Sequence, residues 1–258
     1  MDSKVVVITG ASSGIGAALA RQLGAQGNRL VLGARREELL RKVSAEAGTN
    51  SIPVVTDVTR RQDVEHLRDV ALREYGQVDV WVNNAGRGSS KIVMDLTDED
   101  IHGIIDVVLK SVIYGMQAIV PHFQQRGEGH IINVSSFMGR VPLMKYRSIY
   151  SAAKSGVNVL SANLRMDLRV KYPGIHISAV MPGIVDTDFH RIAQTPIQFK
   201  AGERAGATIV ETAEEVAAKI VSLIDHPAAE LYTGAQMADI ARQYFQDVGA
   251  FEEHMVCR

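Results

Sequence analysis

The sequence predicts an α/β domain in which a parallel sheet lies between layers of helices, and three observations carry the prediction. Short apolar, β-branched runs recur along the chain, longer amphipathic stretches with helical spacing separate them, and glycine-bearing turns fall where one gives way to the other. A chain of 258 residues with 46% hydrophobic content is enough for one large domain, here expected to span residues 1–258.

Strands are predicted at residues 4–9, 29–34, 51–56, 78–83, 130–134 and 175–181. Ile15, Ala18, Leu19 and Leu23 form one helical stripe after the first strand, and Val64, Leu67 and Val70 form another after the third. Ile101, Ile104, Ile105, Val108 and Val112 make a further stripe after the fourth. Gly27-Asn28, Gly48-Thr49-Asn50, Tyr75-Gly76 and Pro173-Gly174 stop these helices and turn the chain toward the next strand. Residues 186–213 are less regular, contain Pro196, Gly202 and Gly206, and precede a helix predicted at 214–224. This segment reads as a flap over a site.

Composition narrows the function classes. Net charge is −1 with acids and bases interspersed, so no basic track for a nucleic acid exists. The opening run Val5-Val6-Val7-Ile8 is too short for a signal core or membrane span, and no later stretch is expected to reach span length, which points to a cytoplasmic protein without membrane partners. The single cysteine, Cys257, excludes an internal disulfide and reads as a tail thiol. The eight histidines lack paired ligand spacing, so no metal site is expected, and Asp186-Thr187-Asp188 reads as a helix cap.

Gly10, Gly14 and Gly16 follow a buried-looking strand and open a helix. In that context, missing Cβ atoms let backbone amides approach a pyrophosphate at the positive helix end. After the second strand, where a free ribose 2′-hydroxyl would call for an acid, the chain has Ala34-Arg35-Arg36. The Arg35 guanidinium suits a 2′-phosphate, Ser12 or Ser13 could add donors, and NADP is therefore expected. Asp57 stands after the third strand, placed either to accept an adenine amino group or to cap the helix near Thr59. Asn84, Ala85 and Gly86 close the fourth strand at the same sheet edge. Further on, Tyr150 and Lys154 are four apart on a predicted helix, so an ammonium can sit beside a phenol and lower its pKa from about 10.

With these residues assembled, the chain resembles the short-chain dehydrogenase/reductase family over nearly its whole length. The resemblance rests on the glycine turn at 9–16, Asp57-Val58, Asn83-Asn84-Ala85-Gly86, Asn133-Val134-Ser135-Ser136, Tyr150 to Lys154, and Met181-Pro182-Gly183 with Thr187 beyond. It implies a single Rossmann-type, doubly wound domain and hydride transfer between a nicotinamide cofactor and an alcohol or carbonyl carbon. It also implies that Tyr150 is the acid/base, that Ser136 polarises the substrate oxygen, and that Lys154 bonds the nicotinamide ribose while lowering the phenol's pKa. Gly10, Ser12, Ser13, Gly14, Ile15, Gly16, Arg35, Asp57, Val58, Asn84, Ala85 and Gly86 would form the nucleotide cradle, with Pro182, Gly183, Ile184 and Thr187 flanking the nicotinamide. A homotetramer or homodimer built through the helices around residues 101–125 and 151–172 is implied as well.

Two departures qualify the match. Val108 stands where many members carry an Asn that holds a water in a proton relay to the lysine, which leaves slower turnover and a catalytically idle NADP(H)-binding regulator as competing readings. Ser136 and Tyr150 are also one residue further apart than is usual, placing an extra residue near the substrate mouth. Phe137, Met138, Val141, Leu143, Met144, Tyr146, Ile184, Phe189 and Ile192 predict an apolar pocket for a small carbonyl or alcohol, with Lys145 and Arg147 as possible contacts for an anionic substrate.

Overall fold

The computed structural model describes residues 3–189, 200–205 and 208–256. Ile192, Pro196, Gly206 and Cys257 lie outside the described residues, as does the middle of the expected flap.

Seven parallel strands form the sheet: β1 (Val5–Thr9), β2 (Arg29–Ala34), β3 (Ser51–Val55), β4 (Val80–Asn83), β5 (Glu128–Val134), β6 (Gly174–Met181) and β7 (Glu230–Tyr232). Their order is β7-β6-β5-β4-β1-β2-β3. All six predicted strands are present with ends displaced by no more than two residues, and β7 is additional.

Period-two alternation of side chains gives the sheet two buried faces. Val6 and Ile8 of β1 point into a core with α1 (Gly14–Ala25), α2 (Glu37–Glu46) and α7 (Ala213–Asp225). Val7 points into the opposite core, with α3 (Arg61–Tyr75), α5 (Ser111–Arg126) and α6 (Ser148–Arg169). The result is a doubly wound Rossmann arrangement. Strand order reverses beside β1, which pairs with β2 on one side and β4 on the other, and a cleft opens beyond the carboxyl ends of β1 and β4.

Local chemistry sets several element ends. Gly76 adopts φ 76° and donates its amide to Leu72 O at 2.9 Å, closing α3 as a left-handed cap. Reciprocal capping boxes start α4 (Asp98–Ile104) at Thr97 with Asp100, and α7 at Thr212 with Glu215. At the sheet edge, β3 carries Pro53, tolerated there because its missing N–H faces no further strand.

The stripe from Ile101 to Val112 differs from a plain α-helix. α4 runs into a π-helical turn, Ile105–Lys110, before α5. The wider turn divides the stripe: Ile104 and Val108 pack against Tyr150 and Ala153, while Val112 faces the sheet core. The whole run, Asp98–Arg126, is 29 residues long and apolar enough by length and composition to cross a membrane, contrary to the expectation that no stretch reaches span length. Val108, Val112, Met116, Ile119 and Phe123 are buried against neighbouring elements, which accounts for its apolar character as core packing.

The expected flap is pinned at its base. Val185–Asp186 pairs in parallel with Glu211–Thr212, and Ala201 N donates to Asp186 Oδ2 at 3.1 Å. Glu211, 7% exposed, accepts from Lys219 Nζ at 2.5 Å and from the Thr233 hydroxyl, and so joins this base to α7 and the segment after β7.

Candidate active site

The carboxyl ends of the strands border a cavity of about 1030 Å³. At one end lies the glycine turn. Gly10 has φ 68°, and a Cβ there would lie 2.7 Å from Ala85 Cα, so only glycine lets the β1 and β4 loops meet. Asn84 fastens them: its Nδ2 donates to Thr9 O at 2.9 Å, while its amide and that of Ala85 donate to Thr9 Oγ1 at 3.0 and 3.2 Å. Gly10, Ser12, Ser13, Gly14, Ile15, Asn84, Ala85 and Gly86 line the cavity. Gly16 does not line it. A Cβ there would come within 2.4 Å of Asn84 Nδ2 and 2.5 Å of Gly10 O, so Gly16 acts by permitting close packing beneath the turn.

This end fits a dinucleotide phosphate. α1 begins at Ser13 with no side-chain cap and no acid in its first turn, leaving its terminal amides to an anion. Arg35 and Arg36 both line the cavity, but Arg36 meets the serines: its guanidinium donates to Ser12 Oγ at 3.0 Å and Ser13 Oγ at 2.6 Å. Arg35 instead acts on Asp57. Burial raises the Asp57 pKa, but hydrogen bonds from Thr59 together with Arg35 and Arg60 outweigh it and hold the carboxylate below its ordinary value. Asp57 Oδ1 accepts from Thr59 N and Oγ1 at 3.0 and 2.8 Å, a turn that precedes α3 without capping it, since the N-cap is Arg60, and the residue lines the cavity with Val58.

At the other end, Ser136, Tyr150 and Lys154 converge on the cavity wall, and all three are buried. Ser136 caps the short turn Phe137–Gly139, accepting from Met138 N at 3.2 Å, and Phe137 N donates to Pro182 O at 2.8 Å. The neighbouring Ser135 hydroxyl is spent on Lys154 O at 3.1 Å, whereas that of Ser136 is hydrogen-bonded with the Tyr150 phenol. α6 presents Tyr150 and Lys154 on one face, with Nζ 5.8 Å from the phenol ring centre and donating to Val134 O at 2.6 Å. Pro182, Gly183, Ile184 and Thr187 complete the wall.

The expectation that the ammonium lowers the phenol's pKa is not met in the polypeptide alone. Burial pushes the Tyr150 phenol up to about 12, against lowering by Ser136 and Arg147, and pushes the Lys154 ammonium down to about 7. Desolvation disfavours the charged form of both groups, and a lysine driven toward its neutral form lends less charge to its neighbour.

Phe137, Met138, Leu143, Met144, Tyr146, Ile184 and Phe189 line the cavity as expected; Val141 is core. Arg147 is 1% exposed and Lys145 does not reach the wall, so neither greets a substrate at the mouth. The last helices, α8 (Met237–Gln246) and α9 (Val248–Val256), add Ile240, Gln243, Phe251 and His254, which no sequence pattern identified. Ser155 and Asn158 were also missed. They hold the serine loop to α6 through Gly139 O at 2.7 and 3.1 Å, and the four-residue spacing Tyr150, Lys154, Asn158 was a usable signal.

The family model described as short chain dehydrogenase matches residues 4–196. The chain belongs to the short-chain dehydrogenase family. An uncharacterized oxidoreductase of Bacillus subtilis, YxnA, is 32% identical over 245 residues, covering 93% of this chain and 68% of that protein. One from Staphylococcus saprophyticus, SSP1627, is 36% identical over 186 residues, 72% of this chain and 75% of that protein. Among solved structures, a short chain dehydrogenase/reductase from Burkholderia phymatum in complex with NAD superposes with TM-score 0.86 at 26% identity, covering 96% and 95% of the two chains. An alcohol dehydrogenase from the archaeon Thermococcus sibiricus complexed with 5-hydroxy-NADP gives TM-score 0.77 at 29% identity, covering 91% and 97%. This short-chain dehydrogenase is thus an oxidoreductase of a family that binds NAD(P) and acts on small molecules.

Proposed function

We propose that the protein is an NADP(H)-dependent oxidoreductase that interconverts a carbonyl and an alcohol, acting as a reductase on a largely apolar substrate. The observation that carries this reading is the meeting of Ser136, Tyr150 and Lys154 with the glycine turn and Arg36 around one cavity. When bound, the nicotinamide nucleotide supplies or accepts the hydride. The chain handles the oxygen: as a carbonyl carbon is reduced, negative charge grows on its oxygen, the Ser136 hydroxyl donates a hydrogen bond to it, and the Tyr150 phenol transfers a proton to it. In the oxidative direction the Tyr150 phenolate takes the alcohol proton. Lys154 orients the bound ribose, and binding an electron-rich partner favours its protonated form.

Preference for NADP is supported by Arg36 held against Ser12 and Ser13 and by Arg35, rather than an acid, directly after β2. Arg36→Ala and Arg35→Ala are each expected to weaken NADPH binding by tenfold or more while leaving NADH nearly unchanged, as measured by fluorescence titration. Equal weakening of both nucleotides would rule out a 2′-phosphate contact. Apolar substrate preference is supported by Met138, Leu143, Met144 and Phe189 on the wall.

Purified protein with NADPH and a panel of aldehydes, ketones and diketones is expected to consume NADPH, and Tyr150→Phe to abolish it. Tight NADPH binding without turnover on any substrate would favour the regulator reading, for which the buried, apolar Val108 is the supporting feature. Assembly into a homodimer or homotetramer is part of the same proposal, supported by exposed Val159, Met166 and Val170 along one face of α6.

A further inference from the structure

We propose that Asn158 and Ser155 are positioning residues for this chemistry: from one face of α6 they clamp the loop that carries Ser136 and so fix its hydroxyl against Tyr150. The inference rests on the oxygen-handling roles proposed above for Ser136 and Tyr150.

Ser136 and Tyr150 belong to different elements, the loop after β5 and the first turn of α6, so their separation depends on how that loop docks on that helix. The docking is made on both sides of Ser136. Before it, the Ser135 hydroxyl donates to Lys154 O at 3.1 Å. After it, the Gly139 carbonyl accepts from Ser155 Oγ at 2.7 Å and from Asn158 Nδ2 at 3.1 Å, two donors three residues apart on one helix face. Gly139 itself is seated tightly, since a Cβ there would lie 2.7 Å from Lys154 C and 2.8 Å from Lys154 O. Its amide donates to Ser136 O at 3.0 Å, which carries the constraint back to the serine.

Stability alone gives little reason for an amide at this place. Asn158 is 5% exposed in the middle of α6, where asparagine has a lower helix propensity than leucine and buries polar atoms that leucine would not bring. Its Oδ1 has no hydrogen-bond partner among the described residues, so the side chain is held by its donor end. Ser155 by itself would satisfy the Gly139 carbonyl. The second donor adds direction: two bonds from one helix face hold a carbonyl in place, where a single bond tolerates a wide range of angles. Direction matters because Ser136 is hydrogen-bonded with the Tyr150 phenol, and a displacement of about 1 Å between reacting groups can cost on the order of a hundredfold in rate.

The test compares Ser155→Ala, Asn158→Leu and their double variant with Ser155→Thr, which keeps the hydroxyl, by steady-state carbonyl reduction, NADPH titration and amide hydrogen exchange. Each single removal is expected to lower kcat severalfold, and the double variant to lower it by about tenfold to a hundredfold. KM for the carbonyl should change far less, NADPH affinity and melting temperature should stay near wild type, and Ser155→Thr should restore kcat. In the double variant the amides of Gly139, Arg140 and Val141, bonded to Ser136 O and Phe137 O, are expected to exchange faster while those of α6 do not. An unchanged kcat, or a loss shared by kcat, NADPH affinity and melting temperature, would overturn the proposal in favour of a structural role. Should the double variant not fold, Ser155→Ala decides, because that residue is exposed: a fall in kcat restored by Ser155→Thr supports the clamp, and a wild-type kcat overturns it. The exchange arm needs no turnover. If the wild-type protein reduces nothing, the redox reading fails by itself; faster exchange in the serine loop would still support the clamp, and unchanged protection would refute it.

Discussion

Lys154 shows how far a single side chain departs from what its spacing suggests. Its place beside Tyr150 was legible, because residues four apart on a helix share a face; its charge was not, because desolvation depends on what the rest of the chain packs around it. The unfolded chain holds this proton up to about 10.5, whereas the folded chain holds it only to about 7. Between those values the unfolded state binds more protons, so the stability tied to this position is complete above the unfolded value and declines as pH falls to about 7. Lys154→Met is expected to raise the melting temperature by a few degrees at pH 7, with the difference narrowing toward pH 10; calorimetry at a series of pH values would reveal it. A difference independent of pH would mean that the amine is not desolvated in the folded protein. Arg36 shows the same limit. The sequence pointed to Arg35, but the backbone turn after β2 brings Arg36 to the serines instead.

At the scale of elements, the glycine turn binds two loops into one surface. Gly16 belonged to the pattern for a reason the pattern does not state: it makes room for Asn84 and for the carbonyl of Gly10. Gly16→Ala is expected to cost about 1–3 kcal/mol in urea unfolding, as overpacking does, and to weaken nucleotide binding by displacing the Asn84 amide. A variant of wild-type stability and affinity would show that the turn relaxes freely. Apolar periodicity located the helix after β4 but not its π turn, since one added residue per turn leaves the composition of the stripe unchanged. Strand β7 escaped notice because three residues, two of them partly exposed tyrosine and leucine, give too short a run for alternation to register.

The molecule as a whole was legible where burial is two-sided: continuous apolar strands and punctuating glycines gave the parallel sheet and both helical layers. The C-terminal wall of the cavity was not, because Ile240, Gln243, Phe251 and His254 reach it through tertiary placement of α8 and α9 with no local signature. The α6 face bearing Val159, Met166 and Val170 leads to a test of assembly. Met166→Glu combined with Val170→Glu is expected to reduce the sedimenting mass to that of a monomer, with each chain still folded by circular dichroism; an unchanged oligomer would place the contact elsewhere. Pro53 bears on the same question. The outer strand that carries it offers an incomplete row of donors, and at the far margin the terminal strand is short and begins with a charged glutamate, so neither border is a good template for another chain's backbone. The sheet therefore ends at both margins in strands that do not invite a second chain to extend it into a fibre.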